Sequence, residues 1–118
     1  MRFVLPAALA LFATPALAGD YTLIIHEAPD QLALRSDPGP NGAAYWTAYA
    51  GIGQALAQAG VLKGGAALDP GPAAGKADRI GGYFIISVPD RATAMAWAAK
   101  VPAARVDVRE HIPAPTGM

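Results

Sequence analysis

Two adjacent ionisable residues, His26 and Glu27, follow a short apolar run and are the first candidates for chemistry in this sequence. An imidazole or a carboxylate can accept a proton near neutral pH, and a tyrosine such as Tyr49 could serve as the partner acid. Neighbouring side chains of a regular strand point to opposite faces of the sheet, so at most one of His26 and Glu27 can face a pocket. The sequence leaves open which of them does.

Three aromatic residues, Tyr45, Trp46 and Tyr49, lie close together on a predicted helix. Residues three or four positions apart are neighbours on a helix surface, which groups these rings over about one turn. Such rings can stack on a flat or apolar small molecule while a tyrosine hydroxyl orients it, so we predict Trp46 and Tyr49 as ligand contacts. The same rings could instead belong to the core and need no ligand.

Arg109 is the third predicted ligand contact, because a guanidinium can hold a carboxylate through two parallel hydrogen bonds. It shares one face of the last predicted strand with Arg105 and Asp107, and a row of charges that is exposed to solvent or lies at the edge of a dimer is the simpler interpretation of that pattern. His26 and His111 are far apart in the sequence, and neither belongs to a closely spaced pair of ligands. We therefore predict no metal site and no cofactor.

Composition excludes several classes of protein. The chain has 118 residues, the size of one domain, with 9 Lys+Arg and 9 Asp+Glu. No basic excess is present to neutralise a phosphate backbone, so we expect no nucleic-acid partner. The absence of cysteine excludes thiol nucleophiles, disulfides and cysteine-bound metals.

The first 18 residues have the order of a secretory signal peptide: Arg2, an apolar stretch, then small residues that end in Ala-Leu-Ala. Two prolines interrupt the stretch, and a membrane-spanning helix needs about 20 apolar residues. We expect cleavage after Ala18 and a domain over 19–118 in the periplasm or outside the cell, without membrane contact once the signal is removed.

The apolar pattern predicts elements in the order βαββαβ. The strands are expected over 21–26, 61–68, 82–88 and 105–112, and the helices over 43–59 and 90–101. Asn41 is the expected cap of the first helix, Gly60 its stop, and Asp90 the cap of the second helix.

This order is typical of a ferredoxin-like α+β sandwich, an antiparallel four-stranded sheet with two helices on one face. Strands 1 and 3 are apolar on both faces, as the central strands of such a sheet should be. Their apolar residues on the face away from the helices need cover. We therefore expect a homodimer in which two sheets press together.

Four segments resemble the YCII-related family, in the branch named after an Asp-Gly-Pro-Phe loop: YTLII, ALAQAGVLKGGAAL, GGYFIISVPDRATAMAWAAKVPAA and VDVREHI. The third segment is the most specific. The resemblance implies a dimeric α/β-barrel architecture over residues 21–112. The Asp-Gly-Pro-Phe tetrapeptide itself is missing, and the span 69–80 is short. Some relatives carry an acid–base pair where this chain has Tyr49 on the helix and His26 and Glu27 at the strand end.

Two functions remain open at this point. The first is an exported homodimer that binds a small apolar or aromatic ligand, or a protein partner. The second, implied by the resemblance, is an isomerase or lyase that moves a proton on a small cyclic or unsaturated acid, with His26, Glu27 and Tyr49 as acid–base residues and Arg109 as the anion contact. Close approach of His26 or Glu27 to the Tyr49 hydroxyl inside a cavity would favour the enzyme.

Overall fold

The computed structural model describes residues 19–72 and 77–115, so the predicted signal peptide lies outside the described residues. The elements are β1 (Gly19–Glu27), α1 (Pro29–Ala33), a 3₁₀ turn (Leu34–Ser36), α2 (Pro40–Gln58), β2 (Leu62–Ala67), β3 (Arg79–Val88), α3 (Arg91–Ala98) and β4 (Arg105–Glu110). Among the described helices, none combines the length and the apolar character needed to cross a membrane.

The four strands form one antiparallel sheet in the order β2-β3-β1-β4. The two strands at its centre, β1 and β3, are the ones predicted there, and the ferredoxin-like α+β fold is confirmed. The sheet is open, with β2 and β4 as its edges. Within the described residues it does not close into a barrel.

The core lies between one face of the sheet and the helices α2 and α3. Tyr21 and Leu23 of β1 point into it, and they pack with Leu56 of α2, Ala94 of α3 and Val108 of β4. Burial of each large apolar side chain stabilises the fold by roughly 1.5–3 kcal/mol. Because side chains alternate along a strand, the buried residues of β1 are every second one, and these face the helices.

The prediction of Asn41 as the helix cap is wrong, because α2 begins three residues before the expected start. Gly39 is the N-cap and Pro40 the first helical residue. Proline is tolerated there since the N–H that it lacks would have had no partner within the helix.

The predicted stop at Gly60 is confirmed. Gly60 has a φ of 75°, and the N–H of Val61 donates to the carbonyl of Leu56 at 3.1 Å, which closes the end of α2. The predicted cap of α3 is also confirmed, because the Asp90 carboxylate accepts the N–H of Thr93 at 2.8 Å.

The segment between β1 and α2 contains two short elements for which the sequence analysis gave no prediction, α1 and the 3₁₀ turn. Both elements are too short to show an amphipathic period in the sequence. The turn is important for the site because it carries Arg35.

The last strand is shorter than predicted and ends at Glu110, before His111 and Ile112.

Candidate functional site

The buried carboxylate of Glu27 is the centre of the candidate site. Glu27 is the last residue of β1, and alternation places it on the same face as Tyr21, Leu23 and Ile25, toward the helices. Its exposed fraction is 0%. A buried carboxylate is strongly destabilising unless it is hydrogen-bonded and paired with an opposite charge.

Three side chains supply those partners. The Tyr45 hydroxyl lies 2.8 Å from each oxygen of Glu27, and the Tyr49 hydroxyl donates to Oε2 at 2.9 Å. Arg35 Nη2 donates to Oε1 at 3.0 Å and forms the ion pair. Both oxygens of the carboxylate are therefore engaged by the protein itself.

Arg35 connects this cluster to three separate segments of the chain. Its Nε donates to the Tyr45 hydroxyl oxygen at 2.9 Å, while Nη1 and Nη2 donate to the carbonyls of Leu68 at 2.7 Å and Gly81 at 2.5 Å. Only 17% of the side chain is exposed. The guanidinium thus links the 3₁₀ turn around Glu27 to α2, to the residue that follows β2 and to β3.

The electrostatics of the cluster keep both tyrosines neutral. Burial and the neighbouring Glu27 carboxylate, opposed by the hydrogen bond from Arg35, raise the pKa of Tyr45 to about 12. Burial raises the pKa of Tyr49 still more strongly, with further contributions from its hydrogen bond to Glu27 and from the charge of that carboxylate. Burial opposes the charge of Arg35, but the interactions with Tyr45 and Glu27 outweigh it and raise the pKa of the guanidinium. At neutral pH the two hydroxyls therefore donate and Arg35 stays charged.

A cavity of about 200 Å³ adjoins the cluster. Glu27, Arg35, Tyr45 and Tyr49 form its polar end, and the remaining wall consists of aromatic rings and of small or aliphatic residues on β1, β2 and β3. Trp46 lies partly in solvent, with 43% of its surface exposed. Apart from the polar end at Glu27, the walls of the cavity are apolar.

The structure brings three of the predicted site residues together at this cavity, namely Glu27, Trp46 and Tyr49. Tyr45 contacts both other rings, with centroid distances of 5.0 Å to Trp46 and 5.1 Å to Tyr49. The indole N–H of Trp46 donates to the carbonyl of Arg35 at 3.3 Å. The helix spacing thus grouped the three aromatic rings that line the cavity.

His26 and Arg109 lie on the opposite face of the sheet. His26 Nε2 is 3.0 Å from Asp107 Oδ2, and Arg109 Nη2 is 3.8 Å from the same oxygen. Arg105 also contacts the imidazole of His26, at 3.2 Å. Neither His26 nor Arg109 lines the cavity that contains Tyr49.

Asp107 is the acidic centre of this second cluster. Although burial acts to raise the pKa of its carboxyl, the hydrogen bond with His26 and the nearby charge of Arg105 lower it below the usual range. His111 lies apart from the cluster, with its Nε2 2.6 Å from the hydroxyl of Thr22. Within residues 19–72 and 77–115, no group of three or more acidic or histidine side chains is arranged to hold a metal ion.

Arg35 is the site residue that sequence reasoning missed, and Tyr45 was seen only as one of three grouped rings. Arg35 stands in a stretch without periodicity, where nothing distinguishes it from an exposed charge. The only available signal was indirect, since a buried Glu27 would need a cation and hydrogen-bond donors.

Comparison with known families gives one match, and this match includes the whole site. A family model described as the YCII-related domain matches residues 20–113. That range extends from β1 through β4 and contains every residue of the Glu27 cluster. No curated protein matches the chain.

Proposed function

The chain belongs to the YCII-related domain family, and we propose that it binds a small, largely apolar molecule in the cavity beside Glu27. The observation that carries this proposal is an apolar cavity of about 200 Å³ with a single polar end. Binding sites for small molecules combine apolar walls with a few placed polar groups in this way. Since a cavity of about 150 Å³ can accept benzene, this one has room for a single ring with one small substituent.

Proton transfer on a small cyclic or unsaturated acid is the second candidate function. It is favoured by the 2.9 Å distance between the Glu27 carboxylate and the Tyr49 hydroxyl at the end of a cavity. Two observations favour simple binding. Glu27 is fully buried with both oxygens engaged, and the proposed anion contact Arg109 lies across the sheet.

Ligand binding is tested by calorimetric titration of the purified protein with toluene, a single ring, and with naphthalene, a double ring. We expect toluene to bind more tightly than naphthalene, whose second ring would extend beyond the cavity. Trp46→Ala removes one wall of the cavity and should weaken toluene binding at least fivefold. Met95→Ala, which shortens another exposed apolar side chain on a different helix, is the control and should leave binding unchanged. Absence of toluene binding contradicts the proposal.

We further propose that the protein is a homodimer formed through the sheet face opposite the helices. Ile24 of β1 and the residues Tyr83 and Ile85 of β3 lie on this face, half-buried, where no described helix covers them. A second copy applied to the same face would remove this apolar surface from water. The charged side chains of β4 would then lie at the margin of the contact.

We also propose that residues 1–18 direct export and are removed, which places the domain in the periplasm or outside the cell. The support is the charged, apolar and small-residue order of that segment.

Native mass spectrometry of protein taken from the exported fraction tests both proposals. The expected mass is twice that of residues 19–118. Ile85→Asp should give a monomer with an unchanged circular dichroism spectrum, because Ile85 lies outside the helix-facing core, whereas the exposed control Ile112→Asp should remain a dimer. A monomeric unmodified protein contradicts the dimer, and a mass that retains residues 1–18 contradicts cleavage.

A further inference from the structure

The hydroxyl protons at the polar end of the cavity are used within the protein. The Tyr49 hydroxyl lies 2.9 Å from the Glu27 carboxylate and 3.4 Å from the carbonyl of Pro102. The carboxylate is both closer and the stronger acceptor, so the single proton of Tyr49 belongs to that bond. The proton of Tyr45 is directed to the same carboxylate, at 2.8 Å.

The two hydroxyl oxygens differ in what they can still accept. A phenolic oxygen that donates its proton keeps lone pairs for an incoming donor. The oxygen of Tyr45 already accepts the Nε–H of Arg35 at 2.9 Å, whereas no donor among the described residues reaches the oxygen of Tyr49. Tyr49 lines the cavity, and its hydroxyl oxygen therefore retains an acceptor while its proton is committed to Glu27.

The charges at the polar end offset one another. Glu27 and Arg35 are the only charged residues among the described ones that line the cavity, and they form an ion pair at 3.0 Å. Arg35 is further engaged by two backbone carbonyls and by Tyr45. An anionic ligand would lose its hydration beside Glu27 without meeting an uncommitted cation, which is unfavourable.

We propose that this cavity selects neutral single-ring molecules that carry one O–H or N–H donor, with the Tyr49 hydroxyl oxygen as the acceptor. Phenols and enols are the simplest members of this class. The inference rests on the proposed ligand-binding function and extends it to the charge and hydrogen-bonding character of the ligand. Tyr49 is then the residue that determines specificity, and Glu27 positions it by holding its proton.

The test compares phenol, toluene and benzoate, which share one ring and differ in the substituent. In a purely apolar cavity toluene would bind more tightly than phenol, because phenol must give up hydration of its hydroxyl. We expect the reverse order by calorimetric titration: phenol at least tenfold tighter than toluene, and benzoate at least tenfold weaker than phenol.

Tyr49→Phe keeps the ring and removes the acceptor, so the preference for phenol over toluene should disappear. Tyr45→Phe removes the other hydroxyl of the cluster but leaves the acceptor of Tyr49, so the preference should persist. This second variant keeps the inference testable if Tyr49→Phe fails to fold. Tyr21→Phe changes a core tyrosine away from the cavity and is the matched control, with the preference unchanged.

The outcomes separate this inference from the proposed function. If toluene binds as tightly as phenol, or benzoate binds more tightly than phenol, the requirement for a neutral donor is overturned and ligand binding in the cavity stands. If Tyr45→Phe abolishes the preference for phenol, Tyr49 is not the acceptor and the inference is overturned. If none of the three compounds binds, the proposed function itself fails.

Discussion

Replacing Arg35 with methionine is expected to lower the free energy of unfolding by about 3 kcal/mol or more, the range for removal of one partner of a buried ion pair. The reason is that Glu27, with an exposed fraction of 0%, would lose Arg35, the cation that pairs with it among the described residues. Methionine keeps much of the length of the arginine stem, so the loss reports mainly on the guanidinium. That group also bonds the carbonyls of Leu68 and Gly81, which would lose a donor in the variant.

Equilibrium unfolding in urea measures this effect, with Arg91→Met as the control. Arg91 is exposed at the start of α3, and exposed substitutions usually change stability by no more than about 0.5 kcal/mol. The double variant Glu27→Gln, Arg35→Met should be more stable than Arg35→Met alone, because no buried charge then remains unpaired. If Arg35→Met is no more destabilising than Arg91→Met, Arg35 does not stabilise Glu27 as described.

The stability of this cluster and the selectivity of the cavity have the same origin. Glu27 holds the protons of two tyrosines and is itself held by Arg35, so the arrangement that permits a buried carboxylate also leaves Tyr49 with an acceptor toward the ligand. We therefore expect ligand preference and fold stability to change together in Arg35 variants.

Much of the fold could be predicted from the sequence because the signals are strong and local. The apolar runs of β1 and β3, the stop at Gly60 and the cap at Asp90 each depend on a few neighbouring residues. The start of α2 was mispredicted because Asn41, a good cap by residue type, lies inside a helix that Pro40 already begins.

The site could be predicted only in part, for a physical reason. Helix spacing grouped Trp46 and Tyr49 correctly, since that grouping is local. Strand parity could have excluded Arg109 from the cavity, because Val106 and Val108 face the core and Arg109 must then face away. Arg35 could not be found, because its role depends on a short turn whose position is set by contacts distant in the sequence.

The second large effect on stability is expected for Gly42→Ala, because Gly42 packs against the short turn that carries Arg35. Gly42 lies in the first turn of α2 and is buried against the end of the preceding segment. A Cβ at this position would collide with the backbone carbonyl of Asp37 and would lie 3.0 Å from the carbonyl oxygen of Leu34. Backbone atoms cannot move aside as the end of a flexible side chain can. We expect the free energy of unfolding to fall by about 3 kcal/mol, the upper end of the usual range for overpacking.

Gly51→Ala is the matched control on the same helix. Gly51 is exposed, and a Cβ there would meet nothing within 4 Å, so alanine should raise the free energy of unfolding by about 0.5–1 kcal/mol through its better helix propensity. Urea unfolding should therefore move in opposite directions for the same substitution at two glycines of α2. If Gly42→Ala stabilises the protein as Gly51→Ala does, the turn that carries Arg35 does not pack against α2. The position of Arg35 beside Glu27 would then lose its structural basis.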